Sequence, residues 1–209
     1  MKRSLEKIRF GVEIEVEFPK EKDSWDLIQR NKVIAGWSMD YDGSLNNGAE
    51  YKPKDKNHLY YNDESMTQIK EIIALVKVHK GNIRPTCGLH IHVDMKDFNN
   101  KEIINITKAF IRKQDDIIKK FKVLKFRLSE QRKIHKRIIK KLNINTIRNI
   151  KKGKNLTEDF FNDRYYLLNI QSLHEHKTLE FRLFNGTIQP SKIKKYIKWA
   201  LEFCIRNSK

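Results

Sequence analysis

Apolar and polar residues alternate strictly in three segments of the chain, residues 8–18, 88–95 and 177–184. A period of two is that of a β-strand with one buried face and one polar face. The apolar residues would therefore form one side of a sheet, covered by helices. The residues of the other side are almost all ionisable: Glu13, Glu15, Glu17, His90, His92, Asp94, Glu180 and Arg182.

Helical periodicity, with apolar residues every three to four positions, predicts three longer elements. They span residues 63–79, 99–127 and 190–207, and the last begins at Pro190, a residue favoured in the first turn of a helix. Shorter features are also predicted: strands at 48–53 and 164–172, turns within 36–46 and around His174–His176, and more helix with loops in 128–155. The pattern is typical of an α+β protein.

The length of 209 residues suits one domain with a real core, and 39% of the residues are hydrophobic. No apolar run is long enough to span a bilayer, and the N-terminal residues include no apolar signal region. These features predict a soluble, cytoplasmic protein with no membrane partner. Cys87 and Cys204 are too few for a disulfide scaffold or a zinc cluster, so we expect both to be reduced packing residues.

The chain is strongly basic, with a formal net charge of +18 that is distributed unevenly. Residues 101–155, here termed the basic block, contain 19 Lys or Arg against 4 Asp or Glu, a net charge of +15. Such a block attracts polyanions, including nucleic acid, nucleotides and acidic polymers. The alternative is a solvated helix face in a lysine-rich protein, and the sequence leaves both interpretations open.

Three neighbouring strands with the alternating pattern would bring several carboxylates to one place on the sheet. Like charges so close together repel, so the arrangement needs cations or hydrogen bonds to persist. Carboxylate oxygens are hard ligands that suit Mg²⁺ or Mn²⁺, and an arginine among them suits a phosphate. Carboxylates, a divalent metal and arginine are the groups on which phosphoryl transfer depends.

Each part of this pattern alone has an ordinary structural explanation. The Glu-x-Glu-x-Glu strand could be a polar sheet face. The histidine pair could be ordinary core or surface residues, or could hold zinc with Asp94 as a third ligand. Glu180 and Arg182 could be cross-strand ion-pair partners. Their coincidence on one face of the pattern is what favours a catalytic site.

Four segments together resemble the putative amidoligase family, carboxylate–amine ligases that are related to glutamine synthetase and glutamate–cysteine ligase and are common in phages and bacteria. The segments are FGVEIEVEF, DGSL followed by GAEYKP, CGLHIHVD, and RYYLLNIQSLHEHKTLEFRLFNGT, in the family's order over residues 9 to 187. The resemblance implies an antiparallel β-sheet with helices on one face and an open catalytic face, like the glutamine synthetase catalytic domain. We accordingly expect one amidoligase-like catalytic domain over residues 1–209, with a basic helical insertion at about 99–155.

The resemblance also implies roles for individual residues. The implied metal ligands are Glu13, Glu15, Glu50, His90 and Glu180. Glu15 and Arg182 are the expected catalytic residues, since Arg182 matches the arginine that contacts the transferred phosphate. The expected contacts to ATP are His92, Arg164 and Arg182. Asp42 is expected to help bind substrate or metal, and Asn169 lies in a matching motif without an assigned role.

The implied cofactors are ATP and Mg²⁺ or Mn²⁺. In the implied reaction ATP phosphorylates a carboxylate, an amine attacks the acyl phosphate, and an amide remains. The partners would be carboxylate and amine substrates, an acidic peptide or polymer among them, with nucleic acid a further partner through the basic block. The competing interpretations are a metal-dependent nuclease or phosphodiesterase, a basic nucleic-acid-binding module with incidental carboxylates, and a ligase-like protein that has lost catalysis.

Overall fold

An antiparallel sheet of seven strands forms the centre of the computed structural model, which describes residues 3–20, 24–30, 33–54 and 59–209. The strands are Arg9–Glu17 (β1), Trp37–Tyr41 (β2), Gly48–Pro53 (β3), Leu59–Tyr60 (β4), Gly88–Asp94 (β5), Leu168–Asn169 (β6) and Thr178–Asn185 (β7). Their order across the sheet is β2-β3-β1-β5-β7-β6, and β4 pairs with the start of β1. The antiparallel sheet is therefore confirmed.

Eight α-helices accompany the sheet within the same ranges. They are Ser24–Arg30 (α1), Asp63–Val78 (α2), Asn100–Phe121 (α3), Lys125–Glu130 (α4), Ile138–Lys141 (α5), Ile144–Lys151 (α6), Ser172–Glu175 (α7) and Pro190–Asn207 (α8). Helix α8 contacts α2, α3 and β5. Phe110 of α3 and Trp199 of α8 both pack edge-on against Phe181 of β7, so these helices cover the apolar face of the sheet. The α+β class predicted from the pattern is confirmed.

The register of the central strands separates the two faces of the sheet. Ile91 of β5 lies opposite Val12 of β1 on one side and opposite Phe181 of β7 on the other, and all three are fully buried. One position along, Glu13 lies opposite His90. Because side chains alternate between faces, this register places the apolar rows against the helices and the ionisable rows on the other side.

Helix α3 is shorter than the helix predicted over residues 99–127. It begins with a capping box, in which Asn99 and Glu102 each accept the other's backbone N–H. It ends just before Lys122, which adopts a left-handed backbone conformation with φ of 50°. The carbonyl oxygen of Lys122 accepts a hydrogen bond from the side-chain amide of Asn185. The side chain of a distant strand therefore helps to end the helix.

The strand predicted over residues 164–172 is confined to Leu168–Asn169, which pairs with β7. The side-chain oxygen of Asn169 accepts the backbone N–H of Gln171 at 2.9 Å, and the chain then turns out of the sheet into α7. Helix α7 occupies most of the turn predicted around His174–His176.

Several residues of the basic block belong to the core. Most apolar residues of α3, including Phe110, are buried, and α6 packs against α3. The predicted single domain and the predicted insertion at about 99–155 stay predictions. Cys87 and Cys204 are free and buried, as expected for packing residues. Among the helices in the described ranges, none combines the length and the hydropathy needed to cross a membrane.

Candidate active site

A cleft of about 650 Å³ lies on the ionisable face of the sheet. Residues of β1, β3, β5 and β7 line it together with the turn after β2, helix α4 and the chain just before β6. The predicted site residues that line the cleft are Glu13, Glu15, Asp42, Glu50, His90, Arg164, Asn169, Glu180 and Arg182. Segments that are far apart in the sequence therefore contribute to one concave surface.

Glu13, His90 and Glu180 form a buried cluster at the base of the cleft. The Nδ1 atom of His90 lies 2.9 Å from Oε2 of Glu13 and 3.5 Å from Oε1 of Glu180. On the other side of the ring, Nε2 of His90 lies 3.1 Å from Oε1 of Glu15. These four residues are at most 4% exposed, so their charges interact with little screening by water.

The cluster fits a bound cation. One potential ligand atom from each of Glu13, His90 and Glu180 lies within 4.8 Å of the other two. Carboxylate oxygens with one imidazole nitrogen suit Mg²⁺, Mn²⁺ or Zn²⁺. In addition, the buried Nε2 of His92 has no hydrogen-bond partner within the described part of the chain, although Oε1 of Glu13 is 3.3 Å away. A buried polar atom without a partner is uncommon and is consistent with a ligand at this position.

A second layer of side chains orients the cluster. Asn169 donates its amide N–H to Oε2 of Glu180 at 2.7 Å, and Arg182 donates to Oε1 of the same carboxylate at 2.6 Å. His92 is hydrogen-bonded through Nδ1 to the Thr178 hydroxyl at 2.9 Å. His92 is fully buried and is not among the residues that line the cleft. The sequence predicted that His92 contacts ATP. Its buried position suits instead a residue that orients the carboxylates.

The two carboxylates of the cluster are held in the ionised form despite their burial. Burial acts to raise the pKa of Glu180. The nearby His92 and Arg182 act in the opposite direction, and the resulting pKa is about 2. Burial likewise opposes ionisation of Glu13, and His92 and the hydrogen bond with His90 bring its pKa well below the usual value. Burial and the positive charge of Arg182 lower the pKa of His90. Ionised carboxylates and a neutral imidazole are the forms that bind a metal.

Glu15 and Glu50 lie opposite each other on β1 and β3, at one end of the cluster. Glu15 accepts the backbone N–H of Gly88 through Oε2. Glu50 forms an ion pair with Lys52, whose ammonium group is also 2.8 Å from Oδ2 of Asp40. The structure thus brings both predicted ligands into the cleft, and it provides Glu50 with a lysine that the sequence prediction did not include.

Three arginines line the cleft: Arg164 and Arg182, which were predicted, and Arg127, which was not. Arg182 donates through Nε to Oε1 of Gln131 at 3.0 Å. Arg127 of α4 is only 3% exposed, and its Nε donates to the Arg182 carbonyl at 3.2 Å. Its Nη2 donates to Nε2 of His90, and its Nη1 lies 4.0 Å from Glu15. No sequence signal identifies Arg127, because a segment rich in lysine and arginine does not show which of these side chains turns inward.

The mouth of the cleft carries the remaining predicted residues. Asp42 accepts the backbone N–H and the hydroxyl of Ser44 at 2.9 Å and 2.7 Å, which fixes the turn after β2. Arg164 is exposed and donates to the Tyr165 hydroxyl at 3.2 Å. Both Tyr165 and Phe126 line the cleft with exposed rings.

Glu17 and Asp94, like His92, are not among the residues that line the cleft. Glu17, at the end of β1, accepts a hydrogen bond from the Thr86 hydroxyl at 2.5 Å. Asp94, at the end of β5, forms an ion pair with Arg9 at 2.7 Å. The zinc alternative would require Asp94 to join the cluster around His90, and in the structure Asp94 pairs with Arg9 instead.

A family model described as a putative amidoligase enzyme matches residues 6–204, which is nearly the whole chain. No curated protein and no solved structure matches the chain.

Proposed function

The chain belongs to the putative amidoligase family, and from this premise we propose that it is an ATP- and Mg²⁺-dependent ligase that joins a carboxylate to an amine. The observation that carries the proposal is the composition of the cleft. Buried, ionised carboxylates surround a neutral histidine, and two arginines lie beside them, Arg182 on β7 and Arg127 on α4. This combination suits phosphoryl transfer, where catalysis depends on positioning and on neutralising charge.

The proposed metal ligands are Glu13, His90 and Glu180, with Glu15 and Glu50 available to a second ion. Mg²⁺ or Mn²⁺, when bound, would neutralise charge on the phosphates of ATP and polarise the transferred group. The chain's own residues hold this arrangement in place. Asn169 and Arg182 fix the carboxylate of Glu180, and the backbone of Gly88 fixes that of Glu15.

The proposed reaction has two steps. A carboxylate oxygen of the substrate attacks the γ-phosphorus of ATP, and ADP leaves with the electron pair of the broken P–O bond. The amine nitrogen then attacks the carbonyl carbon of the acyl phosphate, phosphate leaves, and the nitrogen loses a proton. We assign to Arg182 the stabilisation of charge on the transferred phosphoryl group, because its guanidinium lies at the base of the cleft beside Glu180. No protein nucleophile is required.

The proposed substrate class rests on the charge of the basic block. The block contributes Arg127 to the cleft, and its residues 131–155 contain many Lys and Arg but no Asp or Glu. A positively charged approach favours anionic substrates. We therefore propose an acidic peptide or polymer as the source of the carboxylate.

Trapping with hydroxylamine tests the acyl phosphate without knowledge of the natural amine. Purified protein is incubated with ATP, Mg²⁺, hydroxylamine and a panel of acidic amino acids and peptides. The wild type should form one hydroxamate for each ADP. Arg132→Gln, the control at an exposed position, should do the same, and Arg182→Ala should form neither product. Release of AMP and diphosphate would contradict an acyl phosphate, and absence of hydroxamate across the panel would count against the ligase.

A metal-dependent nuclease is the second candidate, and the net charge of +18 favours it. The same carboxylates and histidine could hold metal ions that cleave a phosphodiester. Incubation with DNA and RNA in the presence of Mg²⁺ or Mn²⁺ distinguishes the two. Cleavage by the wild type that is lost in Glu13→Gln would favour the nuclease, and intact nucleic acid would favour the ligase.

A further inference from the structure

Arg127 is anchored in the cleft by contacts from three separate strands. It projects from the short helix α4, yet it is only 3% exposed. Its guanidinium donates to the carbonyl of Arg182 on β7 and to Nε2 of His90 on β5, and lies 4.0 Å from Glu15 on β1. An arginine buried this deeply is uncommon unless it is paired, and these contacts hold the Arg127 guanidinium in a defined position.

Gly88 provides the space that the guanidinium occupies. A Cβ atom added to Gly88 would overlap Nη2, Cζ and Nη1 of Arg127, and these are the three nearest atoms to that position. Gly88 is not one of the described glycines with a positive φ. The arrangement therefore depends on the small size of Gly88 and not on its conformational freedom. The guanidinium of Arg127 can therefore bind in this place only because residue 88 is a glycine.

The docked guanidinium determines what His90 can do. A guanidinium has N–H donors and no acceptor, so Nε2 of His90 must accept the hydrogen bond from Arg127. In the neutral ring the hydrogen then lies on Nδ1, which donates to Glu13 at 2.9 Å. With one nitrogen accepting from Arg127 and the other carrying hydrogen, neither has a lone pair for a cation.

The alternative arrangement of the same residues needs Arg127 to withdraw. Without the guanidinium, the hydrogen of His90 can lie on Nε2 and be donated to Oε1 of Glu15, which is 3.1 Å away. The Nδ1 lone pair then points between Glu13 and Glu180, the two carboxylates of the cluster. This is the form in which His90 can ligate a cation.

We propose that Arg127 is a positioning residue that competes with the divalent cation for His90, so that the cation binds fully only when the guanidinium leaves its place beside Gly88. This inference rests on the proposed metal site. An incoming nucleotide phosphate provides an anionic partner for the released guanidinium in the same cleft. Cation and nucleotide then favour each other's binding, because both are compatible with the same position of Arg127.

Mn²⁺ alone is the probe, and its free concentration is followed by electron paramagnetic resonance during titration of the full chain. Arg127→Gln removes the competing guanidinium, and Gly88→Ala displaces it while keeping its charge. Both variants should bind Mn²⁺ about tenfold more tightly than the wild type, the size of effect that hydrogen-bonding partners of a metal-ligating histidine exert. The double variant should bind Mn²⁺ no more tightly than Arg127→Gln, because both changes act through one group.

The control variant is Arg132→Gln, which lies in the same segment but is exposed and pairs with Asp163. It should bind Mn²⁺ as the wild type does, and circular dichroism checks that all variants are folded. Unchanged or weaker Mn²⁺ binding in both folded single variants would overturn the role of Arg127 and leave the ligase proposal standing. Absence of Mn²⁺ binding in every protein, the wild type included, would overturn both.

The coupling to nucleotide is measured by repeating the titrations with a non-hydrolysable ATP analogue. The analogue should tighten Mn²⁺ binding strongly in the wild type and in Arg132→Gln, and less in Arg127→Gln and Gly88→Ala, where the guanidinium no longer competes. An equal gain in all four proteins would overturn the coupling.

Discussion

Glu180 illustrates how single side chains keep the cleft charged. The carboxylate is buried, and each of its oxygens accepts a hydrogen bond, one from Asn169 and one from Arg182. Hydrogen bonds to the ionised form and a nearby guanidinium offset the cost of burial. The carboxylate is therefore available to a cation without a prior change of protonation.

Replacing Arg182 tests its proposed contact with the transferred phosphate. Arg182→Ala should lower the rate of ATP turnover by about 10²- to 10³-fold, the effect of removing one group that stabilises charge in a transition state. Coupled detection of ADP gives the rate, and Arg132→Ala is the matched control because that arginine is exposed and lies outside the cleft. Full turnover by a folded Arg182→Ala protein would contradict the assignment.

The cleft residues that lie on strands could be predicted from the sequence, and those that α4 and the residue after it contribute could not. Glu13, His90 and Glu180 could be predicted because strict alternation fixes the face on which each side chain lies. Arg127 and Gln131 could not, since Arg127 ends the helix predicted over 99–127 and Gln131 lies in the helix with loops predicted over 128–155, and neither pattern singles out these side chains. Which of its side chains turn toward the sheet depends on contacts with β1, β5 and β7 that are remote in the sequence.

At the level of elements, helices α2, α3 and α8 were predictable because each has one long apolar stripe. The end of α3 was not, since it depends on the hydrogen bond from Asn185, a residue more than 60 positions away. The strand before β7 was overestimated for a related reason. Leu167, Leu168 and Ile170 are buried, but only Leu168–Asn169 pairs within the sheet. An apolar run shows that a segment is buried and does not show that it is paired.

The capping box of α3 gives a prediction at this level. Asn99→Ala removes the acceptor for the backbone N–H of Glu102 and should lower the free energy of unfolding by about 1 kcal/mol. Urea denaturation followed by circular dichroism measures the change. Asn155→Ala, at an exposed position after α6, is the control and should stay within about 0.5 kcal/mol of the wild type. Equal stability of the two variants would mean that the cap does not support the helix.

The molecule as a whole combines an acidic cleft with a basic exterior. Its net charge is +18, yet the base of the cleft holds three buried glutamates, Glu13, Glu15 and Glu180. Much of the positive charge lies on exposed residues of the basic block, which also supplies Arg127 to the cleft. This distribution favours a division between a surface that attracts an anionic partner and a cleft that carries out the chemistry.

Neutralising part of the basic block tests that division. The exposed lysines Lys133, Lys136, Lys140 and Lys141 are changed together to glutamine. Binding of polyglutamate and of a single-stranded oligonucleotide should weaken and become less dependent on salt, since fewer counterions are exchanged. Binding of an ATP analogue with Mg²⁺ should change little, because none of the four lines the cleft. An equal loss of both would count against a separate partner surface.

Titration calorimetry with a non-hydrolysable ATP analogue, with and without Mg²⁺, tests whether nucleotide and metal bind at the carboxylates of the sheet. Three proteins are compared: the wild type, Glu15→Gln, and Glu17→Gln, which makes the same change on the same strand outside the cleft. We expect binding that requires Mg²⁺, is retained in Glu17→Gln and is lost in Glu15→Gln. No nucleotide binding under any condition, with tight and salt-sensitive binding of DNA or RNA instead, would contradict the ligase and favour a nuclease or a nucleic-acid-binding protein.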